Sequence, residues 1–147
     1  MRIRKIMVPI IGNSADDEAI ELACEIAKKD KGKILLIHVI EVKRALPLEA
    51  EVEPEIQKGE QALEEAEQIV KKRTSCPVQI ELLQAREAGP ALVEEAVERG
   101  IDLIILGLDY KTPFGEFSLG ATVPYILENA PCRVWLCRKA MPGVESG

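Results

Sequence analysis

A single imidazole (His38), two adjacent carboxylates (Asp16 and Asp17), four thiols and two distant glycines (Gly107 and Gly120) are the groups on which this chain could build chemistry. His38 stands inside an apolar run, between Ile37 and Val39, and reads as a hydrogen-bonded core residue rather than a general base. Asp16-Asp17 follows the first apolar run, a place suited to phosphoryl acceptance if a further Asp ends the third strand. The sequence there is Leu83-Gln84-Ala85-Arg86, so the pair reads as charges in the first turn of a helix. Cys24, Cys76, Cys132 and Cys137 show no Cys-x-x-Cys spacing, which excludes a structural zinc site and leaves reduced thiols. Cys132 and Cys137 point to opposite faces of one strand and cannot bridge each other. No Gly-x-Ser-x-Gly elbow or Walker loop is present. The chain is not expected to be an enzyme.

The elements that position these groups alternate regularly. Residues 6–11 form an apolar run closed by Gly12-Asn13-Ser14. Ala19, Leu22, Ala23, Ile26 and Ala27 then give a helical stripe, with Ser14 as its expected N-cap and Gly32 as its end. Residues 34–40 are a second strand, and 41–54, with two prolines, an irregular connection. Ile56, Leu63, Ala66 and Val70 make a second helix, with the acidic run 49–60 as its solvated start. Val78, Ile80 and Leu82 alternate as a third strand. Pro90 suits a first helical position, and the third helix runs through Leu92, Val93, Ala96 and Val97 to Gly100. Residues 102–108 form a fourth strand, 109–119 a loop, then a short helix reaches Pro131 and 132–138 a fifth strand.

Strands buried on both faces are continuously apolar, whereas edge strands alternate or carry charge. The first, second and fourth strands are continuous; the third alternates and the fifth carries Arg133 and Arg138. The fold class is therefore α/β, a doubly wound five-stranded parallel sheet of order 3-2-1-4-5 with helices on both faces. Residues 1–147 form one domain, with 141–147 a flexible tail. Winding reverses between the first and fourth strands, where ligands bind in such sheets. A pocket is expected from residues 9–14 and 107–122.

Nineteen Lys and Arg against 25 Asp and Glu give a net charge of −6, so no nucleic-acid partner is expected. The apolar runs fall far short of the ~20 residues of a membrane span, and no signal peptide is evident, so a cytoplasmic location away from membranes is expected. At the pocket, Gly107 and Gly120 admit two readings: turn and strand-end residues, or points where a ligand meets backbone near a helix N-terminus.

Several stretches resemble the universal stress protein family: Ile6-Met7-Val8-Pro9, Leu36-Ile37-His38-Val39-Ile40, Asp102-Leu103-Ile104-Ile105-Leu106-Gly107 and Asn129-Ala130-Pro131-Cys132-Arg133-Val134. The resemblance implies the same five-stranded fold and a dimer through the fifth strand. It also implies that some members bind ATP through Gly-x2-Gly-x9-Gly-Ser/Thr and an Asp after the first strand. Gly107 and Gly120 keep the spacing, and Val39 matches the position whose backbone meets adenine. Tyr110 replaces the middle Gly, Ala121 the Ser/Thr and Ile11 the Asp. Pro124 removes a helix N–H, and the loop's Asp109, Lys111 and Glu116 offer a triphosphate a poor field.

Pro9, Val39, Gly107, Gly120 and Thr122 are the candidate binding residues, with Thr122 also a candidate helix cap. The expectation is a non-catalytic regulatory, stress-response protein with a degenerate adenine-nucleotide pocket and no resident cofactor, ATP being a weak ligand at most. The alternatives are a working ATP or AMP binder using backbone at Gly107, Gly120 and Val39, or an interaction module. That module would use the edge strand 132–138, as a homodimer, and the aromatics Tyr110, Phe114 and Phe117, which read as pinning the loop or as a site for an unknown small molecule or protein.

Overall fold

The computed structural model describes residues 2–108 and 120–138; the expected tail at 141–147 and the loop aromatics Tyr110, Phe114 and Phe117 lie outside them. The order is β1 (Lys5–Pro9), α1 (Ala15–Asp30), β2 (Lys33–Glu41), α2 (Glu53–Arg73), β3 (Val78–Ala85), α3 (Ala88–Arg99), β4 (Leu103–Leu108), α4 (Thr122–Asn129) and β5 (Arg133–Arg138). All pairings are parallel and the strand order is β3-β2-β1-β4-β5, as strand polarity predicts.

Right-handed crossovers dictate the layers. The chain steps outward from β1 to β3 and then back across to β4 and β5, so α1 and α2 share one face and α3 and α4 the other. Two cores result. Ile6, Val8, Ile34, Leu36 and Ile105 pack under α1 and α2, whereas Met7, Leu35, Ile37 and Ile104 pack under α3 and α4. Every residue of β4 is buried, while β5 has only exposed and half-buried positions, as an edge strand does. Cys132 joins the second core and Cys137 the first, on opposite faces of the sheet.

Three local expectations shift. Ser14 has helical backbone angles and makes no side-chain cap bond; Asn13 Oδ1 instead accepts the Ala15 N–H at 2.9 Å. At the end of α1, Lys31 rather than Gly32 takes the left-handed conformation (φ 52°), while a Cβ on Gly32 would meet the Arg4 carbonyl oxygen at 2.9 Å. Pro90 is the third residue of α3, still within the turn whose N–H groups have no helical partner.

The crevice at the winding reversal has a cause in Pro9. In a parallel ladder successive N–H groups point to opposite neighbours. Ile10 N–H reaches Ile37 O on β2 at 2.7 Å, so the nitrogen of Pro9 faces β4 and carries no hydrogen. The β1–β4 register runs only through Ile6↔Leu103 and Met7↔Ile104, and beyond it the strands part.

Candidate functional site

Beyond those parted strand ends lies a cavity of about 590 Å³. It brings together all five candidates, Pro9, Val39, Gly107, Gly120 and Thr122, with Ile11, Asn13, His38, Ala88 and the buried Leu92, Leu106 and Val123. Among the described residues none of its lining side chains is charged. Ile11 is 55% exposed at its mouth and offers a ligand no side-chain donor or acceptor.

Gly107 lies near the end of β4 and is a point of close approach, the approaching backbone being the protein's own. A Cβ at 107 would meet the Ala15 carbonyl oxygen at 2.2 Å and the Ala15 carbonyl carbon at 2.9 Å. Gly107 thus seats the start of α1 against β4. Gly120 serves conformation: its φ is +63°, and a Cβ there would meet nothing within 4 Å. Thr122 is not a cap. It is the first residue of α4, with Ala121 in the N-cap position and no side-chain cap bond. Pro124 leaves one N–H fewer in the first turn. Tyr110, the residue in the middle glycine's place, lies outside the described residues.

Asp16 is the residue whose role the sequence hides. It sits in the first turn of α1, as predicted, but is 5% exposed rather than solvated. Its carboxylate turns back on the β1–α1 loop, accepting the Ile11 N–H at 2.9 and 3.1 Å and the Gly12 N–H at 2.7 Å. Gly12, at φ +100°, supplies the turn that aims these donors inward. Burial raises the Asp16 carboxyl above its ordinary value of 3.8, against the downward pull of N–H groups from Ile11, Gly12 and Asn13.

His38 is half-buried and satisfied, consistent with a core residue. Its Nδ1 lies 2.6 Å from Ile10 O, and since a carbonyl only accepts, Nδ1 carries the proton. Helix α2 can come this close only because residue 59 is glycine; a Cβ there would stand 2.7 Å from His38 Cδ2. Glu41 Oε2 accepts the Ala88 N–H at 2.9 Å and so occupies the start of α3 beside the cavity. Behind it Arg86 Nη1 donates to the carbonyls of Val42, Lys43 and Leu46, and Gln84 Nε2 to those of Leu48 and Ala50, strapping down a connection that composition alone marks as irregular.

Among the described residues no three His, Cys, Asp or Glu side chains converge as a metal site, and no helix is long and apolar enough to cross a membrane. The universal stress protein family model matches residues 2–138. A universal stress protein of Methanocaldococcus jannaschii is 28% identical over 142 residues, covering 92% of this chain and 82% of the relative. The fold is shared with the universal stress protein UspA of Lactobacillus plantarum, with TM-score 0.78, 22% identity and 94% and 99% of the two chains covered. It is also shared with a universal stress protein of Archaeoglobus fulgidus in complex with dAMP, with TM-score 0.70, 18% identity and 92% and 98% covered.

Proposed function

The chain belongs to the universal stress protein family, and on that premise we propose that it is a non-catalytic regulatory member whose cavity has given up tight ATP binding. The observation that carries this reading is the lack of any charged lining side chain among the described residues, with Ile11 where the resemblance places an Asp. A triphosphate with its magnesium needs compensating charge and several directed donors. The described wall supplies hydrocarbon, one amide from Asn13, one hydroxyl from Thr122 and an imidazole whose proton is already given to Ile10. The described residues do not fit that ligand. Calorimetry with Mg-ATP is expected to give no heat or a dissociation constant of about 1 mM or weaker, and a sub-micromolar constant overturns the reading.

A second reading has a specific observation in its favour: Val39 and Gly120 share the cavity wall, and the Archaeoglobus relative is in complex with dAMP. A mononucleotide would ask less of the wall than ATP. Calorimetry with AMP and dAMP separates the two, since micromolar binding of either without ATP binding favours it. Regulation through a homodimer would use the edge of β5, where Leu136 is 41% exposed. Half-buried Trp135 reports on that edge, and its emission is expected to shift as a dimer is diluted.

A further inference from the structure

The opposite end of the sheet carries a second concavity, of about 570 Å³, where β1, β2 and β3 begin beside the last turn of α3. Its floor is apolar: the buried Leu35 and Ile101 line it together with the exposed Pro77. Lys5 and Lys33 stand above this floor as direct partners in the β1–β2 register. Met7 and Leu35, two residues on in each strand, belong to the α3-side core, so alternation puts both lysines on that face.

Like charges directly opposite one another disfavour pairing, yet this chain places two ammonium groups so. Among the described residues neither forms an ion pair. Lys5 Nζ donates to the Arg99 carbonyl at 3.2 Å. The neighbouring Arg99 is matched by Glu81 and by Glu95. Asp102 accepts the backbone N–H groups of Arg4 and Lys5, at 3.0 Å each, rather than an ammonium. Glu98 alone brings an unmatched carboxylate to the rim. On a protein of net charge −6, two unmatched cations over an apolar floor mark a place for an anion.

We propose that this concavity binds a small carboxylate with an apolar body, its head group between Lys5 and Lys33 and its body on Leu35, Ile101 and Pro77. The ligand relieves the lysine pair's repulsion and covers apolar area, chiefly that of Pro77, that water otherwise wets. The site is independent of the cavity between β1 and β4.

The test is an amide NMR titration of the full chain at fixed ionic strength with hexanoate, acetate and inorganic phosphate. Hexanoate is expected to give saturable shifts at Lys33, Ile34, Gln79 and Ile101, and acetate and phosphate none. Lys33→Gln is expected to weaken hexanoate about ten-fold, the scale of one charge-assisted hydrogen bond, and Glu98→Gln to tighten it. Lys5→Gln serves as a second variant, and either lysine variant without ligand is expected to be at least as stable as the parent. The proposal is overturned if hexanoate gives no saturable shift, if its shifts map to the other cavity, if phosphate matches it, or if both lysine variants keep full affinity.

Discussion

The carbonyl oxygen of Ala15 lies where a Cβ on Gly107 would have to go, 2.2 Å from its ideal position. Backbone, not a flexible side chain, occupies that space, so nothing nearby yields cheaply. Gly107→Ala must push α1 off β4 or bend β4 itself. It is expected to cost about 3 kcal/mol, the upper part of the range for overpacking, read as a drop in urea midpoint. Gly120→Ala meets open space and loses only left-handed freedom, about 1 kcal/mol. An equal cost at the two positions would contradict this division of roles.

Asp16 gives a pH dependence of definite sign. Its folded-state pKa is raised by burial, so between 3.8 and that raised value the folded protein holds more proton than the unfolded chain. Its contribution to stability is full below 3.8 and is lost as pH rises through the folded value. The stability difference between the parent and Asp16→Asn is therefore expected to shift toward the parent as pH falls through that window. A carboxyl-carbon titration of Asp16 should give a midpoint above 3.8, and a midpoint below it would reverse the sign. At neutral pH Asp16→Asn is still expected to destabilise, because an amide NH₂ cannot accept from the Ile11 and Gly12 N–H groups.

Strand order was legible because burial on one or both faces leaves its mark in local polarity: Leu103 to Leu106 is apolar without a break, and β3 alternates. The cavity followed, since the winding reversal places Pro9, Val39 and Gly107 together. Asp16 was not legible, because an acidic residue in a first turn has the same pattern whether it faces water or folds back on the preceding loop. Nor was the Lys5–Lys33 pair, whose neighbourhood depends on register between strands 28 residues apart. Gly107 stood between a strand end and a point of close approach, and its partner, the backbone of Ala15, is one that only packing of α1 on β4 reveals.

Arg86 is half-buried and accounts for much of the order in the β2–α2 connection, its Nη1 lying 3.3, 2.7 and 2.9 Å from three carbonyl oxygens. Arg86→Ala is expected to cost about 2 kcal/mol, within the range for hydrogen bonds from a charged donor, and to speed amide exchange at Leu46 and Ala50. Lysine restores the charge, but its side chain is one bond shorter than the reach to Nη1, so Arg86→Lys is expected to recover little of the protection. Full recovery by lysine would mean that charge alone holds the connection.

Thiol labelling separates burial from electrostatics. Cys24 is fully buried, and burial raises its thiol, so it is expected to react with an aromatic disulfide only as fast as the molecule unfolds, whatever the reagent concentration. Cys137 is half-buried, its thiol raised by burial first and then by the charge of Glu18, to whose Oε2 its S–H donates at 3.9 Å. Glu18→Gln removes that repulsion of the thiolate while keeping the side chain's size. Labelling of Cys137 at mildly alkaline pH should therefore become faster in this variant, with Cys24 unchanged, as followed by mass spectrometry of the labelled peptides. An unchanged Cys137 rate would leave burial, with the more weakly acting charge of Glu21, in control of that thiol.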